Sequence, residues 1–436
     1  MTALAQFFSK QGKNISGSDT AEIFFTDDIL QKSRIKFFNG FDVNNIPADI
    51  DLVIYSSAYN KNNNVEMAEI AKRKILAIDL AHANAEIFNS FKKNIAVCGS
   101  HGKSTTTALL TFILKECGID PSALIGSAVP QLKGNGLFGK SQVMVMEADE
   151  YNNKLQHYNP YAVILNNIDY DHPDFFKTRA SYKQVFKDFI ARVSKNGFII
   201  ANFEDANVMD ACVDAQARVI DYGRVNLNKY EICALEIKNK KQYFKLKTQG
   251  RIMANFETQL IGEHNVMNAT AVIATCLELK IPLQKIKKSL AKFKGLKRRM
   301  EVLGEYNKTI FIDDYAHHPT EINATLQAAR LKYPNKNIIC VFMPHTYTRT
   351  EALFDAFAGS FSFADEVIIL PIYSSAREKK GKVSAGDLAG RIAKKNSRYI
   401  SSIAQCAKYL QKRVTEKDVV ILMGAGDSFR VWHELK

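Results

Sequence analysis

None of the seven cysteines stands in a Cys-x-x-Cys pair or at a Cys/His spacing that would hold zinc. Most of them, including Cys98, Cys276 and Cys340, sit inside apolar runs, the pattern of reduced, buried thiols rather than of a disulfide framework. No apolar stretch approaches the ~20 residues needed to span a bilayer, and the chain does not open on a basic segment followed by an apolar core. Internal repeats and low-complexity tracts are also missing, so solenoids and long disordered linkers drop out. A cytoplasmic globular protein is the expectation.

At 436 residues the chain exceeds one hydrophobic core, and two or three domains are expected. A hydrophobic share of 46% with 24% charged residues is ordinary for a globular enzyme. The formal charge of +14 would suit nucleic acid, anionic lipid or a phosphorylated substrate. The basic residues are scattered through KSLAKFKGLKRR, REKKGK and RIAKKNSR without interleaved aromatics. A solvated surface explains them, with phosphate-rich small molecules as partners and neither nucleic acid nor membrane expected.

The most informative stretch is IAVCGSHGKSTTT, Ile95 to Thr107. An apolar β-branched run breaks at Gly99 and Gly102 and continues into a helix-compatible segment, the strand, loop and helix start that holds phosphate. In such a loop the glycines admit backbone N–H groups to the oxyanion, Lys103 adds a point charge, and the Ser104 hydroxyl can ligate magnesium. The spacing is the shorter GxxGKS rather than GxxxxGKS, because Val97 occupies the place of the first glycine. Taken alone, this could be an ordinary strand-to-helix turn.

Along the chain, residues 1–90 alternate helical stretches, beginning with MTALAQFFSKQG, and short strands in DLVIYSSA and ILAID. Residues 91–295 hold the phosphate loop, the strands in SQVMVMEADE, YAVILNNIDYDH and FIIANFED, an antiparallel stretch YEICALEIKNKKQYFKLKTQ and the helix NVMNATAVIATCLELK. Residues 296–436 carry four strands, in TIFIDD, NIICVFMPH, EVIILPIY and DVVILMGAGD, with helix-length segments between them. The prediction is a three-domain α/β protein. Nearly every candidate chemical residue follows the C-terminal end of a strand, the edge where open α/β sheets bind ligands.

Those candidates fall into groups. Glu147, Asp171 and His172 would join Ser104 as hard-oxygen and imidazole ligands around a phosphate-bound metal. Asn265 and Asn268, three apart near a helix start, can present both amides to one side, although Asn265 could equally cap the helix. Arg298 and Arg299 are suited to clamping a transferring phosphoryl group. The loop DDYAHHPTE, with Asp313 and Asp314, and the segment MPHTYTRT, with His345 and Arg349, read as ligand loops. GAGD, Gly424 to Asp427, is a weaker turn signal.

In order along the chain, GSHGKSTTT, EADEYNNK, NNIDYDHPD, GEHNVMNATA, KGLKRRME, DDYAHHPTE, PHTYTRTEALFDAF and GAGD resemble the motifs of the Mur ligases, ATP-dependent amide-forming enzymes of peptidoglycan synthesis. SGSD and YSSA are similar to motifs of that family's uridine-nucleotide domain. The resemblance implies three domains, namely an N-terminal Rossmann-like UDP-binding unit, a central P-loop-type ATPase and a C-terminal Rossmann-like unit that binds the amino acid. It implies joining L-alanine to UDP-N-acetylmuramate, in a monomer or weak homodimer, with tripeptide ligation or an inactive nucleotide-binding module as alternatives. ATP and Mg2+ would be held by Gly99, Ser100, His101, Gly102, Lys103, Ser104, Thr105, Asn265, Asn268, Arg299 and Asp314. Metal ligation would fall to Ser104, Glu147 and His172, and catalysis to Lys103, His172 and Arg299. Ser18, Asp19, Ser56, Ser57, Tyr315, His317, His345 and Arg349 would contact substrate. The family pattern begins with a strand and a Gly-rich turn, and this chain starts at what matches that turn's Met, so the expectation is a mis-assigned start or impaired UDP-sugar binding. Thr346 stands where an Arg is usual and Asn166 where Thr is usual.

Overall fold

The computed structural model describes residues 1–22, 26–225, 227–374, 381–392 and 396–435. Parts of the basic runs REKKGK and RIAKKNSR lie outside these residues. The helical pattern at the start is realised as Thr2–Lys10, whose Leu4 and Phe7 are buried. This helix seats on the strand Gly134–Leu137 of the following unit, where Gln6 Oε1 accepts from the backbone of Asn135 and Gly136. Behind it, Ser16–Asp19 pairs in parallel with Lys36–Asn39, and Val53–Tyr55 with Ala77–Asp79. The two pairs are separate two-stranded sheets rather than one doubly wound sheet.

Ten strands form the central sheet. Its middle is parallel, with Phe198–Asn202, Ala162–Leu165, Lys93–Cys98, Val143–Glu147 and Ser122–Val129 side by side. These strands are continuous apolar runs because helices cover both faces: Lys103–Glu116 and Glu263–Glu278 on one, Arg179–Ile190 on the other. The expected antiparallel stretch is present as Tyr230–Lys238 and Lys241–Thr248, and Arg251–Thr258 extends it into a three-stranded meander. Four strands escaped the sequence reading here: Ser122–Val129, its antiparallel neighbour Gly134–Leu137, Arg218–Gly223 and Arg251–Thr258.

The last unit is a six-stranded sheet. The four expected strands are present as Thr309–Asp314, Asn337–Phe342, Glu366–Ile369 and Asp418–Met423. Unforeseen edge strands, Glu301–Tyr306 and Ser397–Tyr399, flank them. Among the described residues no helix is long and apolar enough to cross a membrane.

Candidate active site

A cleft of about 500 Å³ opens where the C-terminal edge of the central sheet meets the last unit. From the central unit it is lined by His101, Gly102, Thr105, Asn265 and Asn268, and from the last unit by Arg299, Asp314 and Glu321. Gly99 and Gly102 hold φ of 123° and 79°, conformations that L side chains rarely adopt. A Cβ on Gly99 would stand 2.8 Å from the Asn167 carbonyl oxygen, and one on Gly102 2.6 Å from Asn268 Oδ1. The loop therefore needs both glycines for geometry as well as for phosphate access.

Lys103 Nζ folds back over this loop. It donates to the carbonyls of Gly99 at 2.6 Å and Ser100 at 3.1 Å, and to Glu150 Oε2 at 3.0 Å. Burial works against its charge, but Glu150 and Asp149 hold its pKa above the ordinary lysine value. The Ser100 hydroxyl is taken up inside the protein by the Asp169 carbonyl and Tyr182, so this expected nucleotide contact is a staple of the loop.

The metal ligands expected from sequence divide into two donor sets. Ser104 Oγ donates to Glu147 Oε1 at 2.9 Å, and Gly126 N–H to Glu147 Oε2 at 2.7 Å. Burial lifts the Glu147 carboxyl above its usual range, and Lys103, Gly126 and Ser104 offset that only in part. An under-compensated carboxylate beside a hydroxyl fits a hard divalent cation. His172 belongs to the second set: its Nε2 lies 3.7 Å from Glu150 Oε1, and Asp149, Glu150 and His172 present ligand atoms within 4.8 Å of one another. Glu150 was not among the sequence candidates for this set, although EADE contains it. Tyr151 packs against the His172 ring at a tilt, centroids 4.7 Å apart, and donates its hydroxyl to Asp174.

Asp171 does not join them. Arg349 Nε and Nη2 donate to its carboxylate at 2.8 and 3.3 Å, holding its pKa well below the usual range against the effect of burial. The Arg349 side chain, expected to face the sugar nucleotide, is engaged by this pair and is only 7% exposed. A sequence shows neither partner because the two are 178 positions apart.

The adjacent arginines also part company. Arg298 is buried against Asp313 Oδ2 and the carbonyls of Gly424, Ala425 and Gly426, which fastens the GAGD turn to the domain junction. Asp313 is thus structural, with its carboxyl pushed up to about 7 by burial despite Arg298. Arg299 and Asp314 instead line the cleft. Gly262, not Asn265, caps the helix Glu263–Glu278, and Asn265 and Asn268 both reach the cleft wall. Asn166 supports the loop, donating to the His101 carbonyl and Thr106 Oγ1. His264, beside Asn265, is held neutral by burial and the Arg299 charge, its pKa lowered to about 4.

Of the substrate candidates, Tyr315 lies between the Arg298 and Arg299 guanidinium groups at 5.0 and 5.2 Å. His317 meets His345 edge to face at 6.3 Å, and His345 stacks on Tyr373. Burial lowers the His317 pKa to about 3, so its ring is neutral. Thr346 begins the short helix Tyr347–Ala352 without capping it through its side chain. Ser18 and Asp19 end one N-terminal strand, and Ser56 and Ser57 follow another. Burial, with the Asp19 and Glu22 charges behind it, raises the pKa of Tyr59, which is close to the second pair.

Comparison with known proteins covers the three units in turn. The Mur ligase family catalytic domain matches residues 1–92, the Mur ligase middle domain 97–276, and the Mur ligase glutamate ligase domain 298–426. The UDP-N-acetylmuramate–L-alanine ligase of Desulfitobacterium hafniense is 37% identical, over 100% of this chain and 96% of that protein. The enzyme of the same name from Alkaliphilus metalliredigens is 38% identical, over 99% and 93%. The crystal structure of UDP-N-acetylmuramate-alanine ligase from Thermotoga maritima superposes with a TM-score of 0.83 at 25% identity, covering 100% of this chain and 96% of that one.

Proposed function

The chain belongs to the Mur ligase family, and from that premise we propose that it joins L-alanine to the carboxylate of UDP-N-acetylmuramate, with ATP converted to ADP and phosphate, in cytoplasmic peptidoglycan precursor synthesis. The observation that carries this reading is the shared cleft, in which Arg299 and Asp314 of the last unit stand over the phosphate loop of the central one.

ATP occupies the cleft with its phosphates on the Gly99–Thr105 loop and its nucleoside against Asn265 and Asn268. Lys103 and Arg299 neutralise the charge that develops on the transferring phosphoryl group, a reaction governed by positioning and charge more than by a general base. Ser104 with Glu147, and His172 with Glu150, would hold Mg2+ ions, which supply further charge neutralisation at the phosphates when bound. The muramoyl carboxylate oxygen takes the γ-phosphoryl group and ADP leaves. The L-alanine amine then attacks the acyl carbon, and the tetrahedral intermediate expels phosphate as the amide forms. Residues 1–90 bind the UDP moiety, with Ser18, Asp19, Ser56 and Ser57 on that face. His317, as a neutral imidazole, and His345 face the acyl centre.

The test is phosphate release from ATP and Mg2+ with UDP-N-acetylmuramate, offered L-alanine or L-Ala-γ-D-Glu-meso-diaminopimelate in parallel. Release that depends on L-alanine is expected. A strong preference for the tripeptide, or release independent of any amine, would overturn the assignment.

A further inference from the structure

Glu321 lies at N3 of the helix Pro319–Lys332, a position where glutamate ordinarily does no more than reach back to the chain at the helix start. Here it does that and more. Oε2 accepts the His317 backbone N–H at 3.1 Å and faces His317 Nδ1 at 3.2 Å. Oε1 lies 3.5 Å from His101 Nδ1, on the phosphate loop of the central domain, and 3.6 Å from Arg299 Nη1. The other ring nitrogen of His101 is 3.0 Å from Asp169 Oδ2. One carboxylate, 8% exposed, therefore touches the phosphate loop, the arginine over it and the loop facing the acyl centre.

We propose that Glu321 is a positioning residue that couples docking of the C-terminal domain to the nucleotide site, by clamping His101 of the phosphate loop and aiming Arg299 across it. The inference rests on the reading of the cleft as an ATP site. Charge counts support it: Asp169 and Glu321 are matched by Arg299 and by His101. Burial alone would lower the His101 pKa, but hydrogen bonds and charges from Asp169 and Glu321 raise it to about 9. Geometry supports it as well, because the His318 ring packs against His101 at a tilt, centroids 4.7 Å apart, and Thr320 Oγ1 donates to Asp169 at 2.6 Å. Both come from the same helix start as Glu321, so that end of the helix grips the loop as a unit.

The experiment compares wild type, Glu321→Gln, His101→Gln and the double variant. It reads kcat, the KM for ATP, the Kd for ADP by calorimetry, and compaction by small-angle scattering with ATPγS, Mg2+ and UDP-N-acetylmuramate. Glu321→Gln is expected to lower kcat at least tenfold, to leave ADP affinity within threefold, and to lose the compaction. The double variant should be no worse than the weaker single, because both remove one link. Unchanged kcat, a loss of ADP affinity that matches the loss of kcat, or independent multiplying losses would each overturn the proposal. Glu321→Asp, which keeps the charge but is too short to span His317 and His101, guards against misfolding of the glutamine variant. It should show the same loss of kcat, and full activity in it would count against the clamp. ADP binding does not depend on ligation, so a wild type that binds ADP and compacts without using L-alanine would refute the function and leave the clamp standing.

Discussion

At the scale of single residues, Lys103 does two things. It lies at the phosphate loop, and it neutralises Glu150, whose side chain is only 1% exposed. Lys103→Ala should therefore abolish turnover and also destabilise the fold, since stripping one partner from a buried pair costs about 3 kcal/mol. Lys103→Met with Glu150→Gln should regain most of that stability and none of the activity, as followed by urea unfolding and phosphate release. A fully stable single alanine variant would show that Glu150 finds another counter-charge. His101 predicts a pH effect. Asp169 from the loop after the strand Ala162–Leu165, together with His318 and Glu321 from the C-terminal domain, faces its ring. The docked pKa of about 9 exceeds the ordinary value of about 6.5. Asp169 stays beside His101 when the domains part, so the docking that His101 supports is only the share of the shift due to Glu321, and it is lost as pH rises through about 9. The alkaline limb of kcat should shift to lower pH in Glu321→Gln, and an unmoved limb would assign that limb to another group.

Among the elements, the helix Thr2–Lys10 is held by a backbone approach that tolerates no side chain. A Cβ on Gly136 would sit 1.8 Å from the Ala3 carbonyl oxygen. Gly136→Ala should destabilise the chain by about 2 kcal/mol through overpacking and free the helix from its seat. Lys10 now donates to the Gly136 carbonyl at 2.7 Å, so trypsin should cut after Lys10 faster in the variant, and equal cutting rates would mean the strand yields instead. The same pairing explains why the strand Gly134–Leu137 was illegible. Its sequence, GNGL, carries no alternation, because its two glycines admit the helix on one side while Asn135 and Leu137 are buried as well. The phosphate loop and the strands beside it were legible because glycine spacing and apolar runs are local signals. Which of Arg298 and Arg299 enters the cleft was not legible from the residue pattern, because that depends on the GAGD carbonyls more than 100 positions away, and only the family resemblance singled out Arg299. That Arg349 pairs with Asp171 was hidden for the same reason. Its motif promised a ligand contact, and its partner Asp171 was visible only as one of several acids in NNIDYDH.

For the whole molecule, the segment Asp169–His172 joins the chemistry to the domain arrangement. Asp169 meets Thr320, the Tyr170 carbonyl lies 3.3 Å from His318 Nε2, and Asp171 meets Arg349, all across the boundary with the C-terminal domain. The next residue, His172, belongs to the second donor set with Glu150. Docking of the C-terminal domain thus fixes the loop that presents His172, and the buried Arg349–Asp171 pair is the part of that contact most expensive to break from one side. Arg349→Ala leaves Asp171 ionised and unpaired in the docked form, while in the open form water solvates it. A penalty of about 3 kcal/mol shifts the balance toward the open form roughly a hundredfold. The variant should bind ADP normally, since Arg349 is not among the cleft residues, yet show a larger radius of gyration with both nucleotides present and a kcat reduced by about two orders of magnitude. Arg349→Met with Asp171→Asn removes both charges and should recover part of the compaction, because no buried ion is then stranded. If the single variant closes as fully as wild type, the pair contributes nothing to docking, and Arg349 reverts to the substrate contact its motif suggested.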